Sequence, residues 1–346
     1  MHAYKRISVV IPIHNGENFI NGLINNLICF RERLSENKID IQIIIIIDGS
    51  NDGSEKILIN FQKKLNLILL KNESKKGPSY SRNLGINYAN GDYLLFLDVD
   101  DNLVINGFDD LLKDIDTDSD ILIGDYFIRT ESTTDLRRHN MPIEIGKNYL
   151  SFEFINNYLI NYMLEPYKYT LFVHCWCKLY KINFLKINNI KFNEKIDQLE
   201  DVNFNFKCIK FKPKVFYLNK PIYSYTRNSN DKNLSKKSGS QRDAIKNVLK
   251  ALYIIKIILK NTDFQLYRKY RYHLYATTFI LWIIRSSRES SSLSSKYKVF
   301  TTYCANKYVR ISMKYYIKLT SNDHTLPSLI IYNLPSIALA YCKLAK

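Results

Sequence analysis

Between residues 5 and 100 the chain switches back and forth between two hydrophobic periods. Residues 7–11 (Ile-Ser-Val-Val-Ile) and 41–47 (six isoleucines and one Gln) are short apolar runs. Their β-branched side chains lose freedom in a helix and suit a strand buried on both faces, so both read as strands. Pro12 is expected to stop the first. Residues 18–33 carry Phe19, Leu23, Leu27 and Phe30 at helical spacing, a second helix is expected over 54–65, and a short strand over 67–70. Lys75-Lys76-Gly77-Pro78 then leads into a helix over 79–90, with Pro78 placed for the first turn and Gly91 just past the end. Residues 93–97 (Tyr-Leu-Leu-Phe-Leu) form a fourth strand. Alternating buried strands and helices predict a parallel sheet covered by helices on both faces.

Three of these strands end in polar chemistry: residues 12–15, Asp48 to Ser50, and Asp98, Asp100 and Asp101. In an open α/β sheet the carboxyl ends of the strands lie along one edge, where ligands bind. Carboxylates as close as 98, 100 and 101 repel one another unless a cation or a set of donors sits among them, and a hard divalent ion is the simplest neutraliser. The alternative is an acidic turn capping the next helix. An Asp at the second strand end can accept hydrogen bonds from a base or ribose, while Lys75, Lys76 and Arg82 can supply cations for phosphate or serve as solvated surface charges. No Gly-x-Gly-x-x-Gly turn follows the first strand and no P-loop occurs, which removes the dinucleotide and P-loop readings.

Beyond residue 115 the alternation fades. Residues 109–120 hold six acids among Leu and Ile and read as an amphipathic helix with a linker, followed by a strand over 121–128. Glu200-Asp201 precedes apolar residues at helical spacing, so the pair serves either as a catalytic carboxylate or as the N-terminal cap of a helix. Trp176 is either a wall for a ligand or a core tryptophan, and His174 reads as a neutral packing histidine. Residues 228–240 are polar and Lys-rich without apolar period, as in a hinge, loop or lid.

The last third is helical and basic. From residue 240 onward 18 Lys and Arg face 4 Asp and Glu, which accounts for most of the net charge of +17. Such a region suits an anionic membrane surface, or helices packed on a catalytic domain with a basic outer face. Residues 325–342 carry no charge and touch the minimum length of a membrane span, but Pro327, Asn333 and Pro335 argue against one. The 346 residues, 46% hydrophobic and 13% aromatic, describe a globular chain. Six scattered cysteines lack metal-ligand spacing and read as reduced thiols. With no apolar signal at the N-terminus, the expected location is the cytoplasm, either free or peripheral on the inner face of the membrane.

The runs Val9-Val10-Ile11-Pro12-x-x-Asn15, Asp48-Gly49-Ser50-x-Asp52-Gly53-Ser54, Ser81-Arg82-Asn83-x-Gly85 and Gly91-Asp92-Tyr93-x-x-Phe96-Leu97-Asp98-x-Asp100-Asp101 together resemble a family 2 glycosyltransferase of the GT-A fold. The resemblance implies a Rossmann-like, mostly parallel sheet over 1–230 (a nucleotide-sugar half, 1–115, and an acceptor half, 116–230), with a basic helical region over 231–346. It implies inverting transfer from a nucleotide-diphosphate donor, UDP-linked in most members, to a glycan or lipid-linked glycan acceptor in surface polysaccharide synthesis, with Mn²⁺ or Mg²⁺. By position, Pro12, His14 and Asn15 would line the donor site, Asp48 contact the base, Lys76 and Arg82 lie in the donor pocket, Asp98 hold ribose or sugar, and Asp100 ligate the metal. Trp176, in a stretch similar to the family's Trp-x-Lys-Leu-Tyr, would flank the donor sugar. The Glu-Asp motif makes Asp201 the base beside Glu200, and Arg227 a diphosphate clamp. The chain departs from the pattern at Ile47, where the family has a second Asp, and at His14, where an aromatic is common. A polyprenyl-phosphate glycosyltransferase is the neighbouring possibility. A basic lipid- or nucleic-acid-binding protein is the distant one, and no nucleic-acid partner is expected because no such module occurs.

Overall fold

The computed structural model describes residues 5–113, 118–142, 147–227, 241–260, 265–288, 292–319 and 325–344. The expected linker within 114–117 and the expected loop or lid over 228–240 lie outside them. The chain divides into two compact units, one of residues 1–152 and 171–233, the other of 153–170 and 234–346.

The first unit alternates β1 (Lys5–Ile13), α1 (Glu17–Glu36), β2 (Ile39–Asp48), α2 (Ser54–Leu65), β3 (Ile68–Asn72), α3 (Pro78–Tyr88) and β4 (Tyr93–Phe96). The order β3-β2-β1-β4 is parallel throughout. Side chains alternate across the strands, so Ile7, Val9, Ile11 and Ile13 pack with Ile43, Ile45 and Ile47 against the apolar stripe of α1. The opposite face takes α3, whose Gly85 comes so close that an added Cβ would stand 2.2 Å from Val10 Cγ1. Pro12 does not end β1, which continues to Ile13. Leu97 N donates to Val10 O, so Pro12, two residues on, turns its missing N–H toward the same β4 side, past the last β1–β4 pair at Val10 and Phe96.

Beyond β4 come β5 (Asn102–Leu103), α4 (Ile105–Lys113), β6 (Ile121–Arg129), β7 (Thr134–Arg137), β8 (Lys147–Leu150), β9 (Lys178–Lys181), α6 (Ile182–Ile187), α7 (Glu200–Lys210) and β10 (Val215–Thr226). The sheet continues β4-β9-β6-β10-β5, with β9 antiparallel to both its neighbours and β6 parallel to β10. This mixed half is an α/β extension of the parallel one, covered by α4 against β10 through Gly107 near Pro221.

The second unit joins α5 (Phe152–Leu164) to α8 (Gln241–Lys260), α9 (Gln265–Arg288), α10 (Leu293–Ala305), α11 (Lys307–Leu319), α12 (Thr325–Ile331) and α13 (Pro335–Leu344). Its core includes Val248, Leu252, Ile255, Leu274, Phe279, Phe300, Met313 and Ile330. The uncharged C-terminal stretch is broken by a left-handed Asn333 into two short helices, and no helix among the described residues is long and apolar enough to cross a membrane.

Candidate active site

The carboxyl ends of β2, β1 and β4 lie side by side, and the loops leaving them are stitched together by side chains. Asn15, held at φ 54°, donates its N–H to Ser50 Oγ (3.0 Å) and accepts from Asn51 N at its Oδ1 (2.9 Å). Gly16 N donates to Ser54 Oγ and Glu17 N to Asp52 Oδ2, each at 3.0 Å, while Gly53 N returns a bond to Glu17 Oε2 at 2.8 Å. His14 is half-buried and its Nδ1 lies 2.8 Å from Asp48 O.

Asp48 builds the third loop. Its Oδ1 accepts from Asn72 Nδ2 (2.9 Å) and Lys76 N (2.8 Å), and its Oδ2 from Gly77 N (2.8 Å). A carboxylate offers about four acceptor positions, so one on Oδ2 remains for a ligand. The side chain of Lys76 is exposed at the same loop. Gly49 closes the turn at φ +60°, with Lys75 N only 2.3 Å from where a Cβ would be.

The three carboxylates after β4 lie in three different surroundings. Asp101 is buried and serves as a latch: its Oδ2 accepts from Tyr223 Oη and its Oδ1 from Thr226 N, both at 2.7 Å. Burial, with the charges of Asp98 and Asp100, holds its carboxyl well above the ordinary range. Asp98 accepts from Arg82 Nη2 at 3.0 Å, and its N–H donates to Tyr223 Oη at 3.2 Å. Asp100 stands half-exposed on the loop between them. A single cation among all three is therefore not what the site is shaped for. Among the described residues no cluster of three or more His, Cys, Asp or Glu could hold a metal. The residues fit an ion that takes one carboxylate from the protein and the rest of its oxygens from water and a diphosphate, as Mg²⁺ does.

Arg82 is not a solvent-facing phosphate cation. It is buried, with Nη2 on Asp98, Nη1 3.3 Å from Asp201 Oδ1 and 4.0 Å from Glu200 Oε1, and its guanidinium 5.5 Å from the Phe192 ring centre. One cation thus joins the end of β4 to the start of α7, and its Nε–H has no partner. Neither Glu200 nor Asp201 caps α7: the N-cap is Leu199 in left-handed conformation, with no side-chain bond to the helix. Asp201 Oδ2 accepts instead from Cys175 N at 3.0 Å. Burial and the charge of Asp201 push Glu200 up to about 7 against the pull of Arg82.

Trp176 lies in the core, 4% exposed, near-parallel to His174 (4.3 Å), Tyr223 (4.7 Å) and Tyr225 (5.6 Å). It holds up the latch strand and presents no open ring face as a donor wall. His174 is lowered to about 3 by burial and Lys178, so it is neutral. Arg227 is exposed just past the latch, tied by its backbone N to Arg129 O at 2.7 Å. Sequence reasoning missed Tyr223 and the Cys175 N–H. The period-two tyrosines 223 and 225 on one strand were a signal for the first, whereas a backbone donor leaves none.

The family model described as Glycosyl transferase family 2 matches residues 8–186. The chain belongs to that family. The chain is 29% identical over 224 residues to the glycosyltransferase GlyA of Streptococcus pneumoniae, covering 64% of this chain and 30% of GlyA. It is 28% identical over 225 residues to EpsJ of Bacillus subtilis, an uncharacterized glycosyltransferase, covering 65% and 62%. Against the poly(ribitol-phosphate) beta-N-acetylglucosaminyltransferase TarS of Staphylococcus aureus it is 25% identical over 262 residues, covering 75% and 41%. The chain thus spans less than two thirds of the length of each of these relatives. The crystal structure of S. aureus TarS 1–349 with UDP-GlcNAc superposes with a TM-score of 0.68 at 19% identity, covering 98% of this chain and 92% of that one. The GT-A fold of this family 2 chain is therefore shared with TarS.

Proposed function

We propose that the protein transfers a sugar, with inversion, from a UDP-sugar to a glycan or lipid-linked glycan acceptor in surface polysaccharide assembly. The observation that carries the reading is the Arg82 bridge, which brings the Asp98 loop of β4 and the Glu200-Asp201 start of α7 into one cluster. The likeness to TarS, whose structures hold UDP or UDP-GlcNAc, supports a uridine donor. In this reading the base lies between His14 and the free acceptor position of Asp48, and Asn15 and Pro12 form the floor. Lys76 and Arg227 face phosphate, and Asp98 takes ribose or sugar.

Asp100 would hold Mn²⁺ or Mg²⁺ at the diphosphate, where the ion supplies charge neutralisation for the departing UDP. Asp201, fixed by Arg82 and the Cys175 N–H, removes the proton from the acceptor hydroxyl as its oxygen bonds to the anomeric carbon and the bond to UDP breaks. Glu200, titrating near neutrality, passes that proton on. One carboxylate acting as base, with no covalent sugar on the enzyme, gives inversion.

Calorimetric titration of UDP, GDP and CMP with and without Mn²⁺, on the wild type and on Asp100→Ala, tests the donor site. Metal-dependent preference for UDP that Asp100→Ala abolishes is the expected result. Equal or absent binding of all three nucleotides overturns the reading.

The reading extends to location, at the cytoplasmic face of a membrane. On α11, Lys307, Tyr308, Lys314, Tyr315 and Lys318 are all exposed, and the helix contains no acid. Lysines interleaved with tyrosines suit an anionic lipid surface. Lys314→Glu with Lys318→Glu should abolish cosedimentation with vesicles containing phosphatidylglycerol, and unchanged binding would reject this extension.

A further inference from the structure

Lys178 is completely enclosed, yet the acceptors of its ammonium are carbonyls: Nζ donates to His174 O at 2.8 Å and reaches Trp176 O at 3.5 Å. An ammonium buried without a carboxylate bonded to it is costly, and a neutral side chain would fill the space more cheaply. Burial accordingly pushes Lys178 down to about 8, so it still carries its charge at neutral pH. The shorter of the two bonds falls on the 174–175 peptide unit. His174 O also accepts from Asn205 Nδ2 at 3.0 Å, and Asn205 is itself anchored through Oδ1 by Tyr180 Oη at 2.7 Å.

The carbonyl of His174 and the N–H of Cys175 belong to the same planar trans peptide and point in opposite directions. Pinning the oxygen with two donors therefore aims the N–H, and it is aimed at Asp201 Oδ2, 3.0 Å away. A cation on the carbonyl also polarises the peptide and strengthens its N–H as a donor.

We propose that Lys178, with Asn205, is a positioning residue for the base, acting through the 174–175 peptide to hold Asp201 in line with the acceptor. This rests on the reading of Asp201 as base. It assigns a role to the fully buried lysine of the Trp176-x-Lys178 stretch.

The test uses Lys178→Met and Asn205→Leu in the full chain, with three readouts: amide exchange of the segment containing Cys175, the split between kcat and the donor KM, and the pH profile of kcat. In Lys178→Met the Cys175 amide should exchange at least tenfold faster, and kcat should fall by about ten- to a hundredfold, the cost of a slightly misplaced reacting group. The donor KM should stay within about twofold, and the acid limb of kcat should move to higher pH, because a donor to the ionised carboxylate is lost. A lysine that only fills space would not move that limb. Unchanged exchange at Cys175, or an unchanged limb with kcat intact, overturns the proposal. Should Lys178→Met fail to fold, Asn205→Leu removes the other donor to the same carbonyl and is read by the same outcomes. Should the wild type transfer no sugar from any nucleotide, the proposed function falls, while amide exchange still decides whether Lys178 aims this peptide.

Discussion

Replacing Glu200 by Gln removes a charge that the folded protein holds at a loss. In the folded chain this carboxyl is pushed from 4.5 to about 7 by burial and by Asp201, in spite of Arg82. Between those values the folded state keeps a proton that the unfolded chain releases, so stability falls as pH rises through that window. At about 1.4 kcal/mol per pH unit the rise corresponds to about 3 kcal/mol, and since 23% of the Glu200 side chain is exposed the expectation is nearer 2 kcal/mol. Gln has the same shape and no proton to lose. Thermal midpoints of wild type and Glu200→Gln should coincide below about pH 4.5 and diverge up to pH 8, where the variant should melt about 4–8 °C higher. A gap of the same size at every pH, or a variant less stable at pH 8, would refute the reasoning. Turnover should fall in the same variant, since proton release from Asp201 loses its next carrier.

Gly49→Ala forces a Cβ against the Lys75 backbone at a positive φ, and should cost about 2 kcal/mol or more, read as a lower melting point together with weakened UDP binding. Tyr223→Phe leaves the buried Asp101 Oδ2 without its donor and should destabilise by about 1–3 kcal/mol, measured by urea unfolding. Of the six free thiols only Cys29 is exposed, so the native protein should react rapidly with one equivalent of a thiol reagent and with six after denaturation. A second fast thiol would refute this, by showing that one of the five buried cysteines is accessible.

The parallel half was legible because its information is local. Six isoleucines in seven residues, Pro78 at a helix start and five apolar residues before Asp98 each fix an element without help from elsewhere. The same locality made Asp98, Asp100 and Asp101 look like one acidic cluster. Their separate fates depend on Arg82, sixteen residues upstream of Asp98, and on Tyr223 and Thr226, more than a hundred residues away. Arg82 reads from the sequence as a phosphate cation or a surface charge because its partners Glu200 and Asp201 are more than a hundred residues away along the chain. Trp176 was ambiguous for a similar reason: its burial comes from Tyr223 and Tyr225 on β10. Residues 153–170 carry no signal that they group with the C-terminal helices, since an apolar helix face does not say which core it joins.

The cross-bonded loops of Asn15, Ser50, Ser54 and Asp52 have a mechanical consequence. A wall made of two independent loops would give way one hinge at a time and accept bases of graded size. This one is braced at every crossing, with side chains spanning to backbone in both directions. If these loops wall the pyrimidine site of the proposed UDP donor, a purine pressed into it would strain all the braces at once, and selectivity among nucleotides should be abrupt.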